Sequence, residues 1–442
     1  MLRLKPSKSL LILVCLALSL PPTLAPPALA APALAAPMPS PAQDLFDQAI
    51  FYLTFNYHGY SLVDFKTLEA KYQTRLDTAC AGLNTCAYQT AIPIVSAMLE
   101  DLQDGHTSFW VAEDYQGYTA GKPGDGPAES APLDLGAWLI PIKGTPDIRV
   151  QEVLEGSPAS LAGVQRGDRI TAFNGRSLPN ANPNQFFAAL EKALEEAPLM
   201  RLSILRNESE KLEARVKVRS FGYDGLPWIE FYGDVARVIV PDFDTFNEVG
   251  PHIHTLVEQA KNRGAKAMIV DLRDDGGGSA TECISGVAPF VGEVRHLSQS
   301  KRQAGELGYR KGVVYSRDAN GQESRVYAVE RASTWDGPLT VLVNDQSASC
   351  AELFAADVQF ARRGPVIGEV TYGLGNTGSR FFELIDGSAL QLTVLRSFRP
   401  DGTAYPDRVK PDIAITDDHG AFEKNGRDLM LERALEIIKG LK

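Results

Sequence analysis

Two loops of the sequence carry residues that could perform acyl-transfer chemistry. One is QSASCAELF at 346–354, in which Ser349 precedes an apolar run with helical spacing. The other is DLRDDGGGS at 271–279, where three consecutive glycines follow a strand-like apolar run. Ser349 could be only a helix cap, since its spacing to Glu352 fits the capping-box pattern, or it could be a nucleophile. The glycines could line an oxyanion hole, because no side chain blocks their N–H groups.

A further candidate for chemistry is the histidine of LQDGHTSFW at 102–110. His106 follows a helical pattern and precedes a strand-like Thr-Ser-Phe-Trp run. An imidazole titrates near neutral pH and is the usual proton acceptor for a catalytic serine. A lone histidine also occurs as a structural or surface residue, but the other histidines of the chain have no comparable context. His106 is therefore the predicted base if Ser349 is a nucleophile.

The charge and the cysteines of the chain restrict its class. The 442 residues carry a net charge of −11, which disfavours nucleic acid and anionic membrane surfaces as partners. Cys80 and Cys86 stand close together in CAGLNTC, where both a disulfide and a pair of free thiols remain open. Cys283 and Cys350 have the apolar surroundings of buried thiols, and no cysteine spacing matches a zinc site. No cofactor or metal is predicted.

The first 30 residues have the pattern of a secretory signal peptide. Three basic residues precede an apolar run at 10–20, and prolines and small residues follow it. This run is too short to span a bilayer, and no later segment is long and apolar enough to do so. We therefore expect an exported protein without a membrane span, periplasmic or secreted, that begins with a flexible lead-in at 31–43.

Hydrophobic periodicity divides the rest of the chain into three parts. Residues 44–118 show apolar spacings of three and four, which predict a small helical domain. A polar linker rich in glycine and proline follows at 119–132, and short strands with tight turns predict a β-rich domain at 133–221. From 222 to 442, short apolar strands alternate with helices, which indicates a largely parallel sheet buried on both faces. The predicted fold class is α/β and multidomain.

The β-rich part resembles a PDZ domain. It carries S-P-A-x-x-A-G at 157–163 and G-D-x-I at 167–170. PDZ domains bind an extended peptide, usually a C-terminus, by adding it as a strand to a sheet edge. The resemblance implies that the peptide meets a carboxylate loop and a strand at Leu135, Gly136, Ala137 and Trp138. The alternative is a PDZ domain that only holds the neighbouring parts together.

Three motifs together resemble peptidase family S41, the C-terminal-processing or tail-specific serine proteases. They are DLRDDGGG, VNDQSASCAELFAADVQ and IGEVTYGLG, and the resemblance covers nearly the whole chain after the signal. It implies an α/β core of the ClpP/crotonase kind, with the PDZ domain inserted between it and the N-terminal helices. It also implies that Ser349, the second serine of S-A-S-x-x-E, is the nucleophile. The implied oxyanion hole consists of the N–H of Gly277 or Gly278 and that of Cys350.

The chain departs from the Ser-Lys members of this family at the base. Where they carry a lysine in G-E-P-T-[FY]-G-K-G, this chain has Leu374, which cannot accept a proton. The setting of His106 resembles the histidine segment of the branches that use a Ser-His-Glu arrangement. In those branches an acid precedes G-V-x-P-D, but the matching residue here is Tyr405, and Arg408 replaces the glycine. Asp407 is the nearest carboxylate and is the predicted third member.

These observations predict an exported serine endopeptidase with a Ser-His mechanism. Its expected substrates are unfolded proteins or proteins recognised by their C-termini. The competing hypothesis is a catalytically inactive protein with the S41 fold that binds peptides or apolar ligands, because the lysine and the glycine of the family are replaced. A third hypothesis is a Ser-Lys enzyme with Lys410 as a displaced base. The oligomeric state is left open.

Overall fold

The computed structural model describes residues 40–120, 133–142, 145–177, 190, 199–220 and 225–440. The predicted signal peptide and most of the predicted linker lie outside these ranges. All structural statements below concern the described residues.

Three helices open this part of the chain and pack around one apolar core, and a short strand and a fourth helix follow. They are α1 (Pro41–Asn56), α2 (Phe65–Cys80), α3 (Tyr88–Glu100), β1 (Ser108–Trp110) and α4 (Ala112–Ala120). Helix α1 begins inside the predicted lead-in, because Ser40 accepts a hydrogen bond from the N–H of Gln43 and a proline occupies the first turn. A disulfide between Cys80 and Cys86 closes the loop after α2.

The middle of the chain is an antiparallel sheet that faces its own apolar core. Its elements are β2 (Leu133–Asp134), β3 (Ala137–Pro141), β4 (Ile148–Val153), α5 (Pro158–Leu161), β5 (Arg169–Phe173), β6 (Arg176–Ser177), β7 (Leu199–Arg206), β8 (Glu210–Lys217) and β9 (Arg219–Ser220). Asn174 and Gly175 both have positive φ and turn β5 into β6, as expected for an Asn-Gly hairpin. The main sheet has the order β3-β4-β5-β7-β8. Strand β3 therefore presents an outer edge that pairs with no described strand.

The C-terminal part contains two further sheets. Its elements are β10 (Trp228–Tyr232), β11 (Val235–Ile239), α6 (Val249–Asn262), β12 (Ala267–Asp271), α7 (Ala280–Val291), β13 (Val294–Gln299), β14 (Ala304–Arg310), β15 (Val313–Arg317), β16 (Glu323–Ala328), β17 (Leu339–Val343), α8 (Cys350–Phe360), β18 (Val366–Gly368), β19 (Thr377–Glu383), β20 (Ala389–Phe398), β21 (Ile413–Ala414), α9 (His419–Asn425) and α10 (Leu429–Gly440).

The first of these sheets has the order β10-β11-β12-β17-β18-β21 and is parallel except at β10. Every residue of β11, β12 and β17 is buried, because α6, α7 and α8 cover one face and α10 covers the other. The prediction of a mixed chain with an α/β core, an N-terminal helical region and a β-rich middle is confirmed. Since β12 and β17 are parallel neighbours, the loops that follow them meet at one edge of the sheet.

The second sheet is antiparallel, has the order β1-β20-β13-β14-β15-β16 and carries β19 beside β20. This sheet was not predicted from the sequence. It includes β1 from the N-terminal part, which pairs with β20 through Ser108 opposite Gln391. The pairing brings the residues before β1, His106 among them, next to the C-terminal part of the chain.

Candidate active site

Ser349 lies in the loop between β17 and α8, immediately before the helix begins. Its φ of 51° and ψ of −109° are unusual for a residue other than glycine, and such strain costs on the order of 1–3 kcal/mol. Two hydrogen bonds hold this conformation. Glu352 accepts from the N–H of Ser349 at 2.8 Å, and the N–H of Ala348 donates to the carbonyl oxygen of Asp275 at 2.9 Å. The side chain of Ser349 is half-buried, so the residue remains reachable from solvent.

The glycine loop after β12 lies directly against Ser349. A Cβ atom on Gly277 would stand 2.7 Å from the Cβ of Ser349 and 3.0 Å from the nitrogen of Cys350, so only glycine fits there. The N–H of Gly277 donates to Oδ1 of Asp275 at 2.8 Å. The N–H groups of Gly278 and Cys350 have no acceptor among the described residues. These two groups are therefore the donors that remain for a substrate oxygen.

His106 lies in the turn between α3 and β1. Its backbone N–H donates to Oδ1 of Asp104 at 3.0 Å, and its Nδ1 lies 2.8 Å from Oγ1 of Thr377. The side chain is only 7% exposed. Burial lowers its pKa to about 4, and the charge of Asp104 opposes this shift only in part. His106 is therefore neutral at pH 7, which is the state that a general base requires.

Ser349, His106 and the glycine loop line one cleft of about 960 Å³. One wall of this cleft is aromatic: the rings of Trp110, Tyr118 and Phe381 contact one another in tilted or edge-on arrangements, with centroids 5.0–5.6 Å apart. The other lining residues are Gly105, Asp242, Asp244, Phe246, Ser279, Leu374, Ser379, Arg380 and Gln391. A serine hydroxyl, a neutral imidazole and two N–H groups without an acceptor in the described ranges thus line one cleft, and acyl transfer needs groups of these types.

Glu352 connects the nucleophile loop to the segment that carries Leu374. Its carboxylate is fully buried and accepts four hydrogen bonds, at 2.5–2.8 Å. The donors are the hydroxyl of Thr371 and the N–H groups of Ser349, Gly373 and Leu374. Burial raises the pKa of Glu352, and the four donors oppose the rise. The sequence indicated Glu352 only as part of a capping box.

The structure does not bring Asp407 to His106. Asp407 is exposed, and its Oδ1 accepts from the N–H of its neighbour Arg408 at 2.9 Å. It lines a second cleft, of about 800 Å³, which shares Gly105 and Leu374 with the first cleft but does not contain His106. The group that contacts the imidazole is instead the hydroxyl of Thr377. The sequence gave no reason to select this residue.

The other two residues considered for proton transfer also lie away from His106. Tyr405, at the position where the family carries its acid, is buried and donates to Oδ1 of Asp357 at 2.7 Å. Lys410 is exposed and lines neither cleft, and its carbonyl oxygen accepts from the side chain of Gln359. Neither side chain is placed to accept a proton from Ser349.

The residues expected to bind a peptide lie at the start of β3. Gly136 has a φ of 65°, and its carbonyl oxygen accepts from the N–H of Leu154 at 2.9 Å. Leu135 is buried in the apolar core of this part of the chain, so its side chain does not face a ligand. Ala137 and Trp138 belong to the outer strand, and the Trp138 ring packs edge-on against Trp228 at 5.9 Å. A partner strand could therefore add beyond β3.

A buried ionic network joins β4 to the parallel sheet. Arg237 is 1% exposed and binds both Glu152, on β4, and Asp271, the last residue of β12, at 2.7 Å. Next to it, Arg166 binds Asp428 at 2.6 Å. Removing one partner from such a network is costly, because it leaves a buried charge without compensation. No motif in the sequence indicated these pairs, since the partners are distant along the chain.

Within the ranges that the structure describes, no cluster of histidine, cysteine, aspartate and glutamate has the arrangement of a metal site. None of the helices in those ranges is long and apolar enough to cross a membrane.

Comparison with known proteins agrees with this architecture. The chain is 24% identical over 323 residues to the carboxy-terminal processing protease CtpA of Bacillus subtilis, a match that covers 72% of this chain and 62% of that protein. Across the first such relatives the matched region spans only 59–62% of their length.

Two solved structures share the fold, each with a TM-score of 0.50. The photosystem II D1 C-terminal processing protease is 19% identical, and the match covers 86% of this chain and 94% of that one. A lipoprotein from Streptococcus agalactiae is 12% identical, with 92% and 98% covered. The PDZ domain model matches residues 149–202, and the model of peptidase family S41 matches residues 234–415. The chain therefore contains a PDZ domain followed by a peptidase family S41 domain.

Proposed function

We propose that the protein is a serine endopeptidase that cleaves unfolded or C-terminally recognised proteins by a Ser-His mechanism. The observation that carries this proposal is the single cleft that contains Ser349, His106 and the free N–H groups of Gly278 and Cys350. A serine without a base is a weak nucleophile, and Leu374, at the position of the family's lysine, cannot act as a base. The neutral imidazole of His106 in the same cleft can take that role. Membership of peptidase family S41 and the likeness to CtpA support the same reaction.

The proposed reaction follows the usual two steps of acyl transfer. The hydroxyl oxygen of Ser349 attacks the scissile carbonyl carbon, and Nε2 of His106 takes the hydroxyl proton. The N–H groups of Gly278 and Cys350 stabilise the negative oxygen of the tetrahedral intermediate. Collapse of the intermediate breaks the C–N bond, and His106 gives its proton to the leaving amine. A water molecule then attacks the acyl-enzyme by the same route, and this second attack restores the hydroxyl of Ser349.

The backbone geometry favours Gly278 over Gly277 as the oxyanion donor. The N–H of Gly277 is already bonded to Asp275, whereas those of Gly278 and Cys350 have no acceptor in the part of the chain that the structure describes. Cys350 is the first residue of α8, so the dipole of that helix adds to the stabilisation of negative charge. Preorganised N–H donors of this kind are typically worth about 10²–10³ in rate each.

We propose that the PDZ domain receives an extended segment of the substrate. The outer edge of β3 supports this, because it pairs with no strand of the described ranges and a peptide could add there as a further strand. In this proposal Gly136, Ala137 and Trp138 contribute backbone groups, and Leu135 supports their loop from the core. The buried pairs Glu152–Arg237 and Arg166–Asp428 would hold the domain in a fixed position beside the peptidase core.

We also propose that the protein is exported, to the periplasm or the medium. The basic, apolar and small-residue order of residues 1–30 supports a signal peptide. The disulfide between Cys80 and Cys86 supports an oxidising compartment, because such bonds are rare in reducing ones.

A catalytically inactive binding protein is the second candidate, and Leu374 is the observation that favours it. This residue replaces the lysine of the Ser-Lys enzymes and adds an apolar side chain to a cleft that already has an aromatic wall. Such a cleft could hold an apolar segment without cleaving it. The two candidates differ in one measurable property, which is the appearance of new termini in a substrate.

The test uses mature protein incubated with a pool of unfolded proteins, with new termini counted by mass spectrometry. Ser349→Ala and His106→Ala are compared with His252→Ala, a matched control on α6 that lies outside the cleft. We expect new termini with the wild type and the control, and none with the two cleft variants. If only Ser349→Ala abolished cleavage, His106 would not be the base. An uncut pool with every variant would contradict the protease and make the binding protein the leading candidate.

A further inference from the structure

This inference rests on the proposed function and concerns how His106 is oriented and charged. In a catalytic triad, one carboxylate has two roles: it holds the imidazole in the correct tautomer, and it stabilises the imidazolium that forms. No carboxylate among the described residues touches the ring of His106. Asp407, the expected acid, is exposed and outside the cleft. The structure instead places a hydroxyl at the ring and a carboxylate at the backbone of the same turn.

The hydroxyl belongs to Thr377, the first residue of β19, which is 9% exposed. Its Oγ1 lies 2.8 Å from Nδ1 of His106 and 3.5 Å from the carbonyl oxygen of Leu374. The direction of the 2.8 Å contact depends on the tautomer of the ring, because a hydroxyl can donate to Nδ1 or accept from it. The carbonyl oxygen of Leu374 is the other acceptor within reach of the hydroxyl, and a hydroxyl that donates to it offers its lone pair to the ring. That arrangement favours the tautomer in which Nδ1 carries the proton. Nε2 is then unprotonated and can accept the proton of Ser349.

The carboxylate belongs to Asp104, which precedes His106 by two residues. Its Oδ1 accepts from the N–H of His106 at 3.0 Å and from the hydroxyl of Thr393 at 2.8 Å. Its Oδ2 accepts from the hydroxyl of Tyr57 at 2.7 Å. Burial and the neighbouring carboxylate both raise the pKa of Tyr57, so that hydroxyl remains a donor. Three donors from three separate segments of the chain thus fix a negative charge close to the imidazole.

The charge of Asp104 acts on the ring through space. It raises the pKa of His106, whereas burial lowers that pKa. The other charged groups that line the cleft are Asp242 and Asp244 on the side of the glycine loop and Arg380 on β19. Arg380 lies on the strand that also carries Thr377, and among the described residues only Asp104 accepts a hydrogen bond from the backbone of His106.

We propose that Thr377 and Asp104 together perform the two roles of a triad carboxylate: Thr377 fixes the Nδ1-protonated tautomer of His106, and Asp104 stabilises the charged form of His106. Thr377 is a positioning residue, because it acts through the imidazole and does not touch the substrate. The proposal explains how a Ser-His pair can operate although Tyr405 occupies the family's acid position and points to Asp357.

The test compares Thr377→Val, which removes only the hydroxyl, with Thr377→Ser, which keeps it. Nitrogen-15 NMR of His106 reports the tautomer, and kcat and KM are measured separately on an unfolded substrate. We expect the Nδ1-protonated signature in the wild type and Thr377→Ser, and a mixture of tautomers in Thr377→Val. The kcat of Thr377→Val should fall about 10²-fold with KM little changed, the scale of a general base that works poorly. Thr377→Ser should restore kcat to within a few fold.

Asp104→Asn separates the second role from the first. It should keep the Nδ1-protonated tautomer, lower the pKa of His106 and reduce kcat at pH 7. A wild-type His106 protonated at Nε2, or a Thr377→Val protein with unchanged tautomer and kcat, would overturn the proposal. The NMR readout needs no substrate. An inactive protein with the expected tautomer would therefore contradict the proposed function and leave the role of Thr377 intact. If a variant did not fold, the tautomer of the wild-type protein would decide the proposal.

Discussion

Glu352→Gln is the substitution whose cost follows most directly from the structure. Each oxygen of the buried carboxylate accepts two hydrogen bonds: Oε1 from Thr371 and Gly373, and Oε2 from Ser349 and Leu374. A glutamine keeps the shape but has one oxygen and one NH₂ group. Two of the four donors would therefore lose their acceptor and face another donor.

A buried donor left without a partner costs about 1–3 kcal/mol, so the two together cost about 2–6 kcal/mol. Part of this is recovered, because the variant no longer buries the charge whose burial raises the pKa of Glu352. We expect a net loss of about 2–4 kcal/mol in the free energy of unfolding, on the scale of a disrupted buried network. The protein should still fold, since domains are stable by about 5–15 kcal/mol.

Urea unfolding, monitored by tryptophan fluorescence, measures the loss in the free energy of unfolding. Hydrogen exchange identifies the segments that are destabilised. Exchange should accelerate in peptides that contain the N–H groups of Gly373 and Leu374. Glu436→Gln on α10 is the matched control, because Glu436 is 67% exposed and pairs only with Arg433 at the surface. Its stability should stay within about 0.5 kcal/mol of the wild type. A Glu352→Gln protein equal to that control would refute the assignment of Glu352 as the link between the two loops.

Three more outcomes are expected. Because the pKa of His106 is about 4, cleavage should persist from pH 7 to about pH 5 and fall as His106 protonates near pH 4. Since this pKa lies below the value in the unfolded chain, His106 also lowers the free energy of unfolding as the pH falls below about 6.5. A pH–rate midpoint near 6.5 would contradict both statements. Trp110→Ala should raise KM about tenfold for peptides with an apolar residue at the cut and little for polar ones, because it removes part of the aromatic wall; an equal change in both peptide sets would exclude that role. Cys80→Ser with Cys86→Ser should cost about 2 kcal/mol in unfolding free energy, and an unchanged urea midpoint would argue against the disulfide.

The sequence was most informative where chemistry and backbone geometry constrain local residue types. Asn174 and Gly175 are residue types that indicate a hairpin turn, because both central residues of that turn need positive φ. The apolar runs of β12 and β17 predicted buried parallel strands, since both faces of such strands are covered. The antiparallel sheet that contains β13–β16 was not predicted. Its strands mix exposed and buried positions without a clean alternation, as the β13 and β16 burial patterns show.

The candidate site shows the same division. Ser349, His106 and the glycine loop could be selected, because their residue types and neighbours indicate their chemistry. Thr377 could not be selected, since it lies 271 residues from His106 and its contact exists only after β1 pairs with β20. For the same reason the sequence could not decide between the N–H groups of Gly277 and Gly278, a choice that depends on which one bonds to Asp275.

The central claim is that His106 activates Ser349 as a nucleophile. The most direct measurement is the reaction of the mature protein with a fluorophosphonate, followed by intact mass and peptide mapping. A hydroxyl without a base reacts very slowly with such reagents. An activated serine gives its proton to the base, its oxygen forms a bond to the phosphorus, and the P–F bond of the reagent breaks to release fluoride. We predict one adduct per chain on Ser349, with a rate that falls at least about 10²-fold in His106→Ala and stays unchanged in His252→Ala. No adduct on Ser349, or equal labelling of His106→Ala and the wild type, would contradict the account.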